Sequence, residues 1–140
     1  MWTDNLLGLQ GCGAAMVLDS SNFVHIASVV LSSINVSGAL FYTTNRSGAF
    51  ESLGVDNFPE VASLELSIAM DANGHAHISY QDQNKDLKYA TNASGAWQYS
   101  FIAANGSVGA HSQIRVDSMG KVHIAYTDET SGTVKLAIGP

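Results

Sequence analysis

The chain has 140 residues, of which 46% are hydrophobic and 13% charged, so it can bury a core as one domain's worth of chain. Twelve acidic residues against six lysines and arginines give a formal net charge of -6. This balance leaves no basic surface for phosphates and argues against nucleic acid and anionic membranes as partners. The single cysteine, Cys12, excludes an intramolecular disulfide and a cysteine-based zinc site.

The N-terminal segment from Met1 to Leu7 has neither the basic start nor the long apolar run of a signal peptide. No stretch of about 18 apolar residues follows it in the sequence. We therefore expect a soluble chain without membrane insertion, while the sequence does not indicate a cellular compartment.

An internal repeat dominates the sequence, and a repeat constrains the fold more than any local propensity does. Residues 67–82 align without a gap with residues 113–128, and a weaker copy spans residues 15–28. In the weaker copy, Asn22 replaces the turn glycine and Ser28 replaces the tyrosine. A second block follows each copy, at residues 40–50, 87–97 and, truncated, 134–138.

Each repeat consists of short apolar runs separated by turn signals, and no run has helical periodicity. Four strands in about 45 residues is the period of a β-propeller blade. In the second repeat we expect strands over Ser67–Met70, His75–Gln81, Leu87–Thr91 and Ala96–Ile102. The sequence therefore predicts an all-β fold, a β-propeller with three four-stranded blades at about residues 12–55, 64–104 and 110–140. A solenoid or a β-sandwich is the structural alternative.

Three blades are too few to close a propeller, which needs about four to eight. The third repeat ends before an outer strand, whereas residues 1–8, with Trp2, resemble the outer strand that Trp97 begins in the second repeat. An unpaired strand edge invites another chain. We therefore expect a homodimer that forms one six-bladed ring, in which residues 1–8 supply the outer strand of a partner's blade.

The repeated unit Asp-x-x-Gly-x-x-His-Ile-x-Tyr-x-Asp begins at Asp71 and again at Asp117. It resembles bacterial short-repeat β-propellers of the sialidase-like (BNR-repeat) group over nearly the whole chain, but it lacks the closing Trp of the stricter Asp-box. The resemblance implies a propeller, and as an activity it implies sialidase chemistry, which needs an arginine cluster, a tyrosine nucleophile with an acidic partner, and an acid/base carboxylate. With only Arg46 and Arg115 in the chain, we expect a protein that is not an enzyme.

The aspartates and histidines of the repeat are expected to be structural. Each aspartate precedes a tight turn and can accept turn N–H groups, whereas a calcium loop would need more oxygen ligands than Asp71-Ala72-Asn73 offers. One histidine per blade is more consistent with a buried group that holds a neighbouring blade's backbone than with a metal ligand. We therefore predict no metal and no cofactor. The structural residues are Asp19, Asp71, Asp117, His25, His77 and His123.

Ligand binding is predicted for the loops that enter the inner strands and join the second strands to the third. These loops are polar and acidic, with tyrosines beneath them, and such a surface could hydrogen-bond sugar hydroxyls in several equivalent pockets. We expect a non-catalytic carbohydrate-binding (lectin-like) or protein-interaction module; the alternatives are a sialidase-like glycoside hydrolase and a self-assembling propeller without a ligand. The candidate ligand-binding residues are Tyr80, Asp82, Asn84, His111, Tyr126, Asp128 and Glu129.

Overall fold

The computed structural model describes residues 1, 11–31, 37–58 and 65–140. These residues contain strands connected by turns, and all strand pairs are antiparallel. The strands are β1 (Gly11–Leu18), β2 (Val24–Leu31), β3 (Gly38–Thr44), β4 (Glu51–Phe58), β5 (Leu66–Met70), β6 (Ala76–Gln81), β7 (Leu87–Thr91), β8 (Gln98–Ala103), β9 (Val108–Val116), β10 (Val122–Asp128) and β11 (Thr133–Gly139). Within this part of the chain, no helix is long and apolar enough to cross a membrane.

The strands form three sheets in chain order. The first sheet contains β1 to β4 and the second β5 to β8, each in sequential order, while the third contains β9 to β11. The all-β class is confirmed, and the four strands expected in the second repeat are found within two residues of their predicted ends. In the described residues the third sheet has three strands, and β11 lies at its edge.

Two apolar cores hold the three sheets together. The first core, at the first boundary, joins the first and second sheets and includes Val29, Leu40, Ile78 and Tyr80. The second core, at the second boundary, joins the second and third sheets around Leu87, Ile114 and Ile124. The innermost strands β1, β5 and β9 contact one another in that order. The sheets therefore stack face to face as consecutive blades in a propeller-like arrangement.

The turns between the first and second strands of each sheet have one geometry. Oδ1 of Asp71 accepts hydrogen bonds from the backbone N–H groups of Asn73 (2.9 Å) and His75 (2.8 Å). Oδ1 of Asp19 and Oδ1 of Asp117 each accept the two corresponding N–H groups in their own turns. The predicted role of these carboxylates in fixing the turns is thus seen in all three sheets.

The glycine of this turn adopts a left-handed conformation, with φ of 81° at Gly74 and 82° at Gly120. Asn22 occupies the same place in the first sheet with φ of 65°. Asparagine is one of the few residues with a side chain that tolerate this region. The first copy of the repeat therefore keeps the turn although it has lost the glycine.

The predicted exchange of the N-terminal strand concerns Trp2 and its neighbours, which lie outside the described residues. The six-bladed ring and the homodimer accordingly stay predictions.

Candidate functional site

The histidines of the repeat bind to side chains of their own sheet. Nδ1 of His25 lies 2.5 Å from the hydroxyl of Tyr42, and its Nε2 lies 3.2 Å from Oδ2 of Asp19. Nδ1 of His77 lies 2.6 Å from the hydroxyl of Tyr89. The neighbouring blade's backbone, which the sequence suggested as partner, is not what these rings bind. His25 instead links the turn aspartate to the third strand of its own sheet, and His77 binds the third strand of its sheet.

In the second sheet a different histidine binds the turn aspartate. Oδ2 of Asp71 is bound by Nδ1 of His75 at 2.9 Å, and Nε2 of His77 stays 3.6 Å away, beyond hydrogen-bond distance. In the third sheet, where Lys121 occupies the position of His75, Nε2 of His123 reaches Asp117 at 2.9 Å. Burial lowers the pKa of His77 despite the nearby carboxylate. The turn aspartate is therefore bound by His25 in the first sheet, by His75 in the second and by His123 in the third.

Most of the predicted loop carboxylates also bind groups of their own chain. Oδ1 of Asp82 accepts the backbone N–H groups of Asn84 (2.9 Å) and Asp86 (3.0 Å), and Asp82 is buried. Oδ2 of Asp128 binds Nζ of Lys135 at 2.5 Å, and this contact, with hydrogen bonds from Ser131, holds the pKa of Asp128 at about 2. Both aspartates shape the loops in which they lie.

The remaining predicted residues, two in loops and His111 on β9, lie toward the same end of the sheets. Glu129 accepts a hydrogen bond from the hydroxyl of Ser107 at 2.5 Å, which joins the β10–β11 loop to the β8–β9 loop. His111 is exposed in a left-handed conformation, with φ of 53°, and its Nδ1 lies 3.0 Å from Oε1 of Glu65. Asn84 is exposed in the β6–β7 loop. These residues form a polar rim around the ends of the second and third sheets.

A buried ion pair lies at the first boundary, beneath this rim. Asp56 on β4 pairs with Lys88 on β7, and each side chain is 8% exposed. The hydroxyl of Tyr80 donates to Oδ2 of Asp56 at 2.8 Å, and the backbone N–H of Asn57 donates to its Oδ1 at 2.9 Å. Burial and the neighbouring carboxylate raise the pKa of Tyr80, so its hydroxyl stays a donor. A charged pair of this kind persists in an interior only where such hydrogen bonds accompany it.

Two exposed aromatic rings lie beside the ion pair. The ammonium of Lys88 lies 4.0 Å from the ring centroid of Tyr99 and 5.2 Å from that of Phe101. Both rings are on β8, two residues apart, and their residues are 55% and 56% exposed. We refer to Asp56, Tyr80, Lys88, Tyr99 and Phe101 as the Lys88 cluster. It presents two aromatic faces on the surface, beside a buried cation and carboxylate.

The second boundary contains a reduced counterpart of this cluster. Lys135 and Tyr126 occupy the repeat positions of Lys88 and Tyr80. Ala103, which pairs with Leu87, occupies the position of Asp56, which pairs with Leu40. Lys135 consequently turns to Asp128 and is 49% exposed. Of the predicted residues, Tyr80 thus belongs to the Lys88 cluster and Tyr126 to its reduced counterpart.

Metal binding and sialidase chemistry were also considered for the described residues. No group of three or more His, Cys, Asp or Glu side chains there could hold a metal ion. The guanidinium groups of Arg46 and Arg115 contact the backbone oxygens of Gly74 (3.5 Å) and Ile114 (2.6 Å). The two arginines therefore do not form the cluster that sialidase chemistry needs.

No family model and no curated protein matches the sequence. Among solved structures, the chain is similar to a fucose lectin from Kordia zhangzhouensis in complex with methyl-fucoside, with a TM-score of 0.56 and 18% identity over 91% of this chain and 92% of that one. It also matches, with a TM-score of 0.46 and 10% identity, an α-L-arabinofuranosidase from Fusarium graminearum, of whose chain it covers 44%. At these identities the likeness to the lectin concerns the fold, and the sialidase-like resemblance stays a prediction.

Sequence reasoning did not identify Asp56, Lys88, Tyr99 and Phe101 as site residues. Lys88 recurs as Lys135, but the same position in the first repeat is Phe41, so the lysine did not stand out. Asp56 lies 32 residues from Lys88, on an outer strand whose sequence does not repeat. The usable signal was the pair Tyr99 and Phe101, which alternate on a strand whose outer position leaves both faces partly open.

Proposed function

We propose that the chain is a non-catalytic carbohydrate-binding module and that the Lys88 cluster binds the sugar. The observation that carries the proposal is the pair of exposed rings, Tyr99 and Phe101, beside a buried lysine and aspartate. Aromatic faces pack against the C–H groups of a sugar ring, while charged groups hydrogen-bond its hydroxyls. The likeness in fold to a lectin supports this class of ligand.

The groups of the cluster have distinct roles in this proposal. Tyr99 and Phe101 supply the stacking surface, and Lys88 lies buried against the two rings. Asp56 and Tyr80 hold the lysine in place. Asn84, His111, Glu129 and the loop aspartates Asp82 and Asp128 form the surrounding rim. The partial counterpart with Tyr126 and Lys135 provides a second, weaker site, so that two sites on one chain would raise the affinity for a multivalent glycan.

The first test is binding of the labelled chain to a glycan array, followed by titration with methyl glycosides, starting with methyl fucoside. We expect Tyr99→Ala to weaken binding at least tenfold, because the variant loses the stacking surface but no buried group. Met119→Ala is the matched control, because Met119 is 78% exposed in a turn outside the cluster. No binding on the array by the folded chain, or an equal loss in both variants, would contradict the proposal.

Glycoside hydrolysis is tested with the same protein. A panel of fluorogenic glycosides should give no turnover above buffer, because the described arginines contact backbone oxygens rather than converge on a site. Turnover that Asp56→Asn abolishes would replace the binding proposal with a hydrolytic one.

A further inference from the structure

A polar cleft of about 480 Å³ opens at the first boundary, at the end of the sheets opposite to Tyr80 and Lys88. Its walls are the β1–β2 turn of the first sheet and the β5–β6 turn of the second. Small-molecule sites in proteins range from about 300 to 1,000 Å³, so the cleft can hold a ligand of this kind. The polar residues that line it are Asp19, Ser20, Ser21, Arg46, Asp71 and Asn73.

Arg46 reaches into this cleft from the β3–β4 turn of the first sheet. Its Nη1 lies 3.5 Å from the backbone oxygen of Gly74, which is the outer limit of a hydrogen bond, and the residue is exposed. Within residues 11–31, 37–58 and 65–140, Arg46 forms no ion pair with a carboxylate. Because a guanidinium carries several N–H donors, Arg46 keeps donors for a ligand.

The glycine of the β5–β6 turn lets the guanidinium approach closely. A Cβ on Gly74 would lie 3.1 Å from Nη1 of Arg46, whereas a Cβ on Gly120, in the same turn of the third sheet, would meet nothing within 4 Å. The two glycines have nearly equal φ, 81° and 82°. The turns are thus alike, and Arg46 is what distinguishes the surroundings of Gly74.

The turn that carries Arg46 does not require an arginine. The segment Asn45-Arg46-Ser47-Gly48 recurs in the second sheet as Asn92-Ala93-Ser94-Gly95. In both turns the glycine N–H donates to the backbone oxygen of the asparagine at 2.9 Å, and the glycine φ is 97° in the first turn and 90° in the second. Alanine therefore supports the same turn, and the guanidinium of Arg46 is available for another role.

The charges of the cleft favour a neutral ligand with several hydroxyl groups. Burial opposes the ionisation of Asp71, but hydrogen bonds from His75 and Asn73 outweigh it and hold the pKa of Asp71 at about 2. The carboxylates of Asp71 and Asp19 repel an anion, and Arg46 repels a cation. A hydroxyl group can donate to a carboxylate and accept from a guanidinium. A sugar ring without a charge matches both.

Apolar residues line the same cleft. Val17 and Leu18 belong to β1, and Met70 belongs to β5. Such side chains suit the C–H groups of a sugar, because their contact removes apolar surface from water. The cleft therefore offers both kinds of contact that a sugar ring makes.

We infer that this cleft is a second sugar-binding site, in which Arg46 and Asp71 bind neighbouring hydroxyl groups of one neutral sugar. Ser20, Ser21 and Asn73 supply further hydrogen bonds. The inference shares its ligand class with the proposed function, but it uses no residue of the Lys88 cluster. Either site can therefore fail while the other stands.

Nuclear magnetic resonance of the isotope-labelled chain tests the site residue by residue. Methyl α-mannoside, methyl α-fucoside and methyl β-galactoside are titrated into the millimolar range, with glucuronate and glucosamine as charged comparators. We expect at least one neutral glycoside to shift the backbone amide signals of Ser21 and Asn73 to saturation, and to bind there more tightly than either charged sugar. The signals of Tyr99 and Phe101 report on the Lys88 cluster separately. No saturable shift of Ser21 and Asn73 with any neutral glycoside, or tighter binding of a charged sugar, would overturn the inference.

Arg46→Ala tests the guanidinium, and it introduces the residue that stands in the equivalent turn of the second sheet. We expect the dissociation constant measured at Ser21 and Asn73 to rise about tenfold, as for the loss of one hydrogen bond to a charged group. Lys121→Ala is the matched control, because it removes one exposed positive charge from the β9–β10 turn and should leave the constant unchanged. An equal rise in both variants would assign the effect to net charge and contradict the inference.

Urea unfolding of Arg46→Ala separates binding from a structural role. The contact of Arg46 with Gly74 is long and exposed, so we expect the same unfolding midpoint as for the unchanged chain. A clearly lower midpoint would show that Arg46 holds the two sheets together, and it would overturn its assignment as a ligand-binding residue.

Discussion

The two boundaries between sheets are built from the same repeat, yet only the first is complete within the described chain. At the first boundary Lys88 is 8% exposed and pairs with Asp56 from the adjoining sheet. At the second boundary Lys135 is 49% exposed and pairs with Asp128 of its own sheet. The repeat therefore sets the position of the lysine on the third strand, while the residue on the neighbouring outer strand determines which carboxylate the lysine binds.

The same contrast holds for the aromatic residues. Tyr42 is covered by Trp97, whereas Tyr89 borders an apolar cavity. The inner three strands of the sheets are alike, and the differences between the boundaries come from outer-strand residues such as Asp56, Trp97 and Ala103. Both sheets at the first boundary have four strands, whereas among the described residues the third sheet contributes three to the second boundary.

The substitution with the largest expected effect on the difference between the two boundaries is the removal of Asp56. In Asp56→Ala the ammonium of Lys88 stays buried without its carboxylate, and we expect a loss of about 3 to 5 kcal/mol in the free energy of unfolding. The measurement is urea unfolding followed by circular dichroism at fixed protein concentration. The double variant Asp56→Ala with Lys88→Met should recover most of the loss, because an apolar pair replaces the ion pair.

The second boundary supplies the control for this prediction. Lys135→Met removes a half-exposed partner, and solvent screens such a pair, so the expected loss is much smaller than that of Asp56→Ala. Similar losses of unfolding free energy in Asp56→Ala and Lys135→Met would contradict this prediction. They would show that the residue on the outer strand does not change how much each lysine's ion pair contributes to stability.

Removing Trp97 should make the first boundary resemble the second. Trp97→Ala leaves a cavity on Tyr42, and because the indole is only partly buried we expect a loss of about 2 kcal/mol, below the range for a fully buried tryptophan. Trp97→Phe keeps an aromatic ring on Tyr42 and should cost less than half as much. Urea unfolding of both variants, with m-values to show that the folded state stays compact, decides the outcome.

Much of the fold was predictable because the repeat encodes it. The strand order, the turn aspartates and the place of the histidines follow from the aligned positions around Asp71 and Asp117. The partners of the histidines were predictable in principle, since Tyr42 and Tyr89 recur together with His25 and His77. These partners were missed because a repeat pattern shows which positions recur. It does not show which side chains lie on the same face of the sheet.

The candidate site was less predictable, because its members do not repeat. Asp56 and Phe101 lie on outer strands, where the aligned positions carry unrelated residues. Such strands face solvent on one side, and packing does not restrict the residues on that side. The interpretation of the acidic loop residues as ligand contacts arose from their place in the loops and from the tyrosines beneath them. Asp82 and Asp128 also follow the rule already visible at Asp71, that an aspartate before a turn binds the N–H groups of that turn.

The turn between the first and second strands recurs in all three sheets. Substitutions in this turn test whether it is equivalent from one sheet to the next. Gly120 has φ of 82° and nothing within 4 Å of an added Cβ, so a substitution there reports backbone strain. We expect Gly120→Ala to lower the free energy of unfolding by about 1 kcal/mol. Gly120→Asn should cost clearly less, because Asn22 adopts the same conformation in the first sheet. Equal costs would show that the Asn22 turn relies on contacts peculiar to its sheet.

The last prediction concerns the acid sensitivity of the same turns. Burial raises the pKa of Asp71, but hydrogen bonds from the backbone and ring of His75 and from the backbone of Asn73 outweigh it and hold the pKa at about 2. An unfolded aspartate titrates near about 3.9. The stabilisation is therefore fully present above pH 4 and is lost as the pH falls toward 2.

Asp71→Asn should accordingly flatten the decline in unfolding free energy between pH 4 and pH 2, measured by urea unfolding at each pH. Asp86→Asn is the matched control of opposite sign. Burial and the charge of Asp82 raise the pKa of Asp86, so its protonation in acid favours the folded state. Replacing Asp86 should therefore steepen the decline. A flattening in both variants would assign the acid sensitivity to net charge rather than to the turn, because both substitutions remove one negative charge.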